Sequence, residues 1–551
     1  MANIMSKKYK LLIFPLLFFI TFGVRVYWLS EKDAFHVDEG MSIAITCYKD
    51  YLVAKNYITN IGYTGKELKD NTLVSEGGFT DAMEDIKNLW KDNRDPPHTN
   101  LYYTFLRLSF TGLDNSDIKP IIFRGGILNL ILFSVSFVFF VMLIKLLFPG
   151  FRVLQHFCVI CAFLSTASIT NTLFLRPYQI QETMFIILTF YFIKTIDINK
   201  GFQLLLKPGN IKTFFILSLI TAVTLITGYY AVIFIGLLGL YVIYKKSRDR
   251  KNSEIIFYVL VLIFSLILAH VFYPGYFKGF NSYRATETTQ TIFANTSENL
   301  KVSLITAWAL IHKHFFSFSV IAVCVICLLF ALIQNKKLLI NKYAAFIFCA
   351  SLLYYVFTLI IAPYKVLRYG MPVFPFFVLL PAVIFNSVVI NKRTLDILKT
   401  ERLPKGLRPK TRSISITAMI ITAFIFLTNA VSGENIEHLY KNKQNEYLFT
   451  QHKETPVFVF VHEYSHWKYG NLVPYLNDEQ KYIFIRRYSD IFMTPYNEFY
   501  LVIENVPDLI ELSNPRFTIL ESFELTGGEP ETPEIMGSYF ICRKVILKDS
   551  I

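Results

Sequence analysis

The chain has 551 residues, 53% of them hydrophobic and only 17% charged, with a mean hydropathy of +0.42 and a net charge of +14. A soluble protein carries about 25% charge, and 53 phenylalanines are too many for an aqueous surface, so a water-soluble globular chain is excluded. Nucleic acid is excluded as the partner too, because Lys and Arg gather in alternate short loops, the pattern of the positive-inside rule.

In chain order, the first apolar run follows Lys7, Lys8 and Lys10 and has no small-residue cleavage site, so it reads as a signal anchor. A spanning helix needs ~20 apolar residues. That ruler places segments near 10–29, 121–146, 153–174, 178–196, 212–228, 229–245, 255–273, 315–334, 342–362, 370–390 and 413–432, about eleven helices in all. If these alternate, the N-terminal lysines, KKSRDRK at 245–251, KK at 336–337 and the basic tract 391–412 share one side, the cytoplasm. The N-terminus then lies on the cytoplasmic side of the cytoplasmic (inner) membrane, and three large pieces lie on the outer side: 30–118, 274–302 and everything from 433 onward.

The first of these pieces has structure of its own. Met41, Ala44, Ile45, Tyr48 and Leu52 recur at helical spacing within 40–55, which predicts an amphipathic helix on the bilayer. FTDAMEDIKNLWK at 79–91 predicts a more polar helix with Thr80 as its N-cap, and a Pro pair opens an aromatic amphipathic stretch at 95–110. After 432 the composition changes sharply. PVFVFV, KYIFIRRY, EFYLVIE, FTILESFEL and GSYFICRKV read as strands. The expected architecture is an α-helical polytopic membrane domain, 1–432, followed by a small outer α/β domain, 433–551.

Within AFHVDEGM (34–41), Asp38 and Glu39 form an acid pair just past the first apolar run. One reading makes Asp38 the N-cap of the following helix, with Glu39 favoured by the helix dipole. Other polar groups recur at outer helix ends: His98 after the prolines, Arg124 entering the second span, Arg176 and Tyr178 in LRPYQIQE with Gln181 and Glu182, and Lys365, Arg368 and Tyr369 in APYKVLRYGMP. Each Arg could be a snorkelling anchor. Charges at membrane depth are costly and mark cavities or pathways, however, and acids and bases gathering at one face suggest a site built there.

Three further motifs are weak. HEYSH at 462–466 matches H-E-x-x-H, but it follows a strand and lacks a third ligand at suitable spacing, so a strand-to-helix turn is favoured over zinc. The NTS at 295–297 has no support as a glycosylation site. Cys158/Cys161 and Cys324/Cys327 lie in apolar runs as filler, and Cys47 with Cys542 is the one pair that could meet outside.

Taken together, VDEGM, PPHTNLYY, LRPYQ and LRYGMP resemble the C-type (GT-C) membrane glycosyltransferases, specifically glycosyltransferase family 39, the protein O-mannosyltransferases and the lipid A aminoarabinose transferase. The likeness covers roughly 10–432. It differs in placing Asp95 before the prolines and His98 after them, and 433–551 has no recognised counterpart. The resemblance implies transfer of a sugar from a polyprenyl-phosphate donor to an outer acceptor: a protein, lipid A or another glycan. It implies Asp38 as catalytic acid–base residue, with Glu39 as its partner. It also implies Arg176 and Arg368 as holders of the lipid phosphate, and Lys365 and Arg124 join them by location. Some relatives place a divalent metal near the acid pair; no dedicated ligand set is evident in this sequence.

The chemistry needed is consistent with that set. A hydroxyl attacking an anomeric carbon needs a carboxylate to take its proton, and a departing phosphate needs cations, for which Arg is well shaped. One base on one face favours inversion, since Glu39 points elsewhere on the helix than Asp38. The alternative is a transporter or lipid flippase. Such proteins bind near the bilayer midplane within repeat-related broken helices, and no repeat is found.

Overall fold

The computed structural model describes residues 2–49, 62–73, 77–92, 95, 98–113, 118–197, 208–281, 283–293, 296–333, 340–389, 408–439, 453–461, 472–487, 491, 495–504, 517–526 and 539–547. HEYSH, Asn295 of the NTS, and the two prolines before His98 lie outside the described residues.

The protein is a helical, multi-pass membrane protein. Every apolar segment read from the sequence lies on helix: Ala2–Ser30, Ile118–Leu147, Arg152–Phe163 with Thr166–Leu173, Tyr178–Ile196, Pro208–Leu225, Ala231–Arg248, Asn252–Phe272, Phe318–Ile333, Lys342–Ile361, the 3-10 run Met371–Val378 continued by Leu379–Val389, and Arg408–Ser432. Five helices among the described residues are long and apolar enough to cross a membrane, or up to seven if each bent pair is one span. Tyr178–Ile196 shows why not every segment qualifies. It carries Gln179, Gln181 and Glu182, all buried against neighbouring helices rather than facing lipid.

The stretch 274–302 is not a simple loop. It holds a 3-10 turn Tyr276–Asn281 and the helix Tyr283–Phe293, and it runs into the helix Thr296–His314, which bends by 90° into Phe318–Leu332. Polar residues between Thr296 and Lys301 hide an apolar stripe of Leu300, Leu304, Ile305 and Trp308, all exposed along this helix.

Two features fix the break between Arg152–Phe163 and Thr166–Leu173, a bend of 51°. Ser165 caps the second helix by accepting from Ser168 N, which satisfies an orphan N–H of its first turn. Arg25, fully buried, donates to Phe163 O (2.8 Å), Ser168 Oγ (2.8 Å), Thr172 Oγ1 (3.0 Å) and Thr21 O (3.0 Å), with its guanidinium 3.9 Å from the Phe133 ring. A cation held by several acceptors and an aromatic face is tolerable at that depth. Asn129 then pins the exit of the bent pair, donating to Thr172 O (3.0 Å) and Phe174 O (2.9 Å) while accepting from Tyr102 OH (3.1 Å). These bonds aim the following turn, and with it Arg176.

All five strands read from the sequence are present, joined by a sixth that was not. The strands are β1 (Gly62–Thr64), β2 (Val457–Phe460), β3 (Lys481–Ile485), β4 (Glu498–Glu504), β5 (Phe517–Thr526) and β6 (Tyr539–Leu547), in the order β1-β3-β2-β4-β6-β5. The central β3, β2 and β4 run parallel, and β1 and β6 flank them antiparallel. Alternation along β2 explains its burial on both faces. Val457 and Val459 face a cluster shared with the helical body, whereas Phe458 and Phe460 pack with Ile483, Ile485, Phe499 and Leu501. Because β1 comes from the first loop, the sheet is not closed within 433–551. The neighbouring helix Gly65–Thr72 is docked as well, through Lys69 Nζ to Asp478 Oδ1 at 2.9 Å. Cys47 and Cys542 are both buried, and no disulfide joins them; the CxxC cysteines are free thiols.

Candidate active site

The acid pair opens the helix Val37–Thr46, and the residue that caps it is His36 rather than Asp38. His36 Nδ1 accepts from Asp38 N (3.1 Å), and the Glu39 carboxylate reaches back to His36 N (2.7 Å), a reciprocal capping box. This corrects the cap reading of Asp38, which stands inside the first turn with its carboxylate spared from capping. Likewise, Gly78 and not Thr80 caps Phe79–Lys91.

The box sends the two acids apart. Glu39 is fully buried and accepts from Lys32 Nζ (2.6 Å) and Leu175 N (2.8 Å) as well as His36 N. Lys32 also donates to Leu173 O (2.8 Å). Burial pushes the Glu39 carboxyl upward, against the pull of Lys32. Glu39 therefore ties the helix start to the turn that carries Arg176.

Asp38 faces the cations. Arg368 Nη1 lies 3.0 Å from its Oδ2, and His36 Nδ1 lies 3.8 Å from the same oxygen. Arg176 Nη1 reaches Asp38 O (3.4 Å), Ser42 Oγ (3.2 Å), Tyr103 OH (3.1 Å) and Asp95 Oδ2 (3.2 Å). Tyr103 in turn donates its hydroxyl to Asp95. Burial pushes the Asp38 carboxyl up, but Arg368, Arg176, His36 and His98 together outweigh it and hold the group well below the usual carboxylate range. Asp38 is thus a carboxylate throughout the physiological range.

Aromatic and imidazole rings line the surroundings. His98 meets the Tyr178 ring edge-on at 5.9 Å, and burial together with Arg176 lowers its pKa to about 4, so its ring is neutral. Tyr178 stacks beside Phe174 and touches Tyr369, which meets Tyr230. His438, from the segment after Arg408–Ser432, stacks on Phe174 at 4.0 Å and lies 5.3 Å from the His36 ring, with a backbone φ of +66°.

Asp38, Arg176, Arg368, His98, Tyr178 and Tyr369 therefore come together, and Glu39 sits immediately behind them. Two candidates stand apart. Arg124 is exposed on Ile118–Leu147, and no hydrogen bond or ion pair among the described residues joins it to the others. Lys365 donates to Leu359 O (2.5 Å) and Ala362 O (2.7 Å), capping the end of Lys342–Ile361, and burial lowers its pKa to about 8. Sequence reading missed His36, Ser42, Asp95, Tyr103, Lys32 and His438 as parts of the site. The motif PPHTNLYY contained a signal for Tyr103, and the Asp before the prolines was visible without a role.

The charged partner of the Asp38 carboxylate is the Arg368 guanidinium. Among the described residues, no three His, Cys, Asp or Glu side chains cluster as a metal ion would require.

No family model and no curated protein matches the chain. Among solved structures, the chain is similar to ArnT from Cupriavidus metallidurans bound to undecaprenyl phosphate, at 10% identity over 96% of this chain and 97% of that one, with a TM-score of 0.48. It is also similar to the same protein in the apo state, at 11% identity over 99% and 98%, with a TM-score of 0.47. A third similar structure is the archaeal oligosaccharyltransferase AglB from Archaeoglobus fulgidus, in complex with an inhibitory peptide and a dolichol-phosphate. There the identity is 10%, the cover 85% of this chain and 64% of that one, and the TM-score 0.46.

Proposed function

We propose that the chain is a membrane glycosyltransferase that moves a sugar from a polyprenyl-phosphate donor to a hydroxyl acceptor, with inversion. The observation that carries this reading is the Asp38 carboxylate held against Arg368 and beside Arg176, a base and two cations in one half-buried cluster. The acceptor O–H gives its proton to Asp38 as its oxygen attacks the anomeric carbon. The bond from that carbon to the phosphate oxygen breaks, and the departing polyprenyl phosphate keeps the electron pair. Arg368 and Arg176 stabilise the charge that develops there.

Arg176 has a group suited to this task. Its Nε is buried without a hydrogen-bond partner among the described residues while its Nη1 is fully committed. The Nε–Nη2 edge of a guanidinium is a fork that a phosphate engages with two parallel bonds.

Glu39, fixed by three donors, is assigned to holding the site together rather than to proton transfer. Inversion is the reading because Asp38 is the carboxylate paired with Arg368. A retaining route needs a second one as nucleophile, and Asp95 is occupied by Arg176 and Tyr103. The outer sheet, with β1 and the helix Gly65–Thr72 docked on it, is assigned to the acceptor side.

The test is Asp38→Asn in full-length protein purified in detergent, assayed for sugar transfer. Loss of a general base lowers turnover by about a hundred- to ten-thousand-fold, with membrane insertion and melting unchanged. Turnover at the unsubstituted level removes Asp38 from the chemistry.

A further inference from the structure

The two cations beside Asp38 are held in different ways. Arg176 is fixed on four sides through one nitrogen, and its charge is balanced by Asp95, each side chain being 6% exposed. Tyr103, packed in the helix Leu101–Ser109, bridges the two. Arg368, by contrast, sits on a short 3-10 turn, Leu367–Tyr369, between two longer elements, with its side chain 11% exposed and its Asp38 partner 17% exposed. A phosphate entering this site meets one cation already neutralised by a buried carboxylate. The other is paired to the more open carboxylate of the two.

That second pairing creates a conflict. A carboxylate in contact with a guanidinium is a weak base, because taking up a proton breaks the ion pair. The arrangement that holds Asp38 in place therefore also holds it out of use.

We propose that Arg368 is an exchangeable cation: the donor phosphate takes it from Asp38, so that the base is released only when the site is loaded. This inference rests on the reading of the chain as a polyprenyl-phosphate glycosyltransferase. No bond is made or broken in the exchange; one anion replaces another on the same guanidinium. Before exchange, a water or acceptor hydroxyl entering alone meets a carboxylate that is already engaged. After exchange, Arg368 lies on the leaving group and Asp38 is free toward the acceptor. Donor recognition and base activation become one event, and the donor's specificity is read through its phosphate as well as its sugar.

The test uses full-length protein in detergent and undecaprenyl phosphate without a sugar as the probe. Its affinity is measured for the unsubstituted chain, Asp38→Asn, Arg368→Met and the double variant. Removing the competing carboxylate makes Asp38→Asn bind the probe about tenfold more tightly, and Arg368→Met weakens it by a similar factor. In the Arg368→Met background, Asp38→Asn changes nothing, because the gain runs through Arg368 alone.

Unchanged or weaker binding by Asp38→Asn overturns the exchange and leaves the glycosyltransferase reading intact. A gain that persists without Arg368 also overturns it, since it reports only the removal of negative charge from the region. Failure of every version to bind the probe removes the phosphate reading itself. Thermal melting of each variant separates these outcomes from misfolding.

Discussion

Asp38 and Glu39 are neighbours in the chain and opposites in circumstance, and the difference comes from one backbone device. With His36 as cap, Glu39 must turn back over the helix start, where Lys32 and Leu175 N receive it, and Asp38 is left facing Arg368. His98 carries a measurable signature of this surrounding. Its ordinary value of 6.5 falls to about 4 because burial disfavours the cation and Arg176 repels it. Between those two values the unfolded chain binds a proton that the folded one refuses, so His98's contribution is intact above pH 6.5 and is lost as pH falls toward about 4. His98→Gln is expected to flatten part of that acid-side loss, seen as a smaller drop in melting temperature between pH 6.5 and 5 than in the unsubstituted chain. An identical pH dependence in both proteins contradicts a neutral His98.

At the scale of elements, the first loop is held to the membrane body through its ends. The helix Val37–Thr46 is anchored by Lys32–Glu39 at one end and by Ser42 and Arg176 further along. Both partners of Lys32–Glu39 have fully buried side chains, so removing one strands the other. Lys32→Met is expected to cost about 3–5 kcal/mol, and the added change Glu39→Gln to recover part of it. Melting of the two variants in detergent checks the order, and equal stability for both contradicts the ion-pair account.

Helices and strands alike were readable where a period was long enough to repeat. The five strands between 456 and 545 announced themselves by alternation, and residues of the DE, RPY and RY elements lie together in the candidate site. β1 did not, because Gly62–Thr64 is three residues and gains its identity only from β3. The helix Thr296–His314 was hidden by its polar first turns. Asp95 and His438 were silent for another reason: a polar group beside an apolar run looks interfacial until its partner, far along the chain, is brought beside it.

At the scale of the molecule, the helical body and the sheet share one continuous core, in which Leu68 and Leu73 of the first loop and Val457, Tyr482 and Tyr500 of the sheet take part. A chain ending after residue 439 keeps His438 beside His36 but removes β2 to β6. Such a chain is expected to retain binding of undecaprenyl phosphate, to lose transfer to the acceptor, and to become protease-sensitive around 62–73. Equal loss of binding and transfer contradicts the assignment of the sheet to the acceptor side. The same pairing bears on how the protein is made. Gly62↔Ile483 joins a segment near the start of the chain to one near its end, and at ribosomal speeds of ~5–20 residues per second the early partner waits on the order of half a minute for the late one. During that interval an unpaired edge and its apolar neighbours stand open, so a chain cut short late in translation leaves an incomplete sheet rather than a slightly shortened protein.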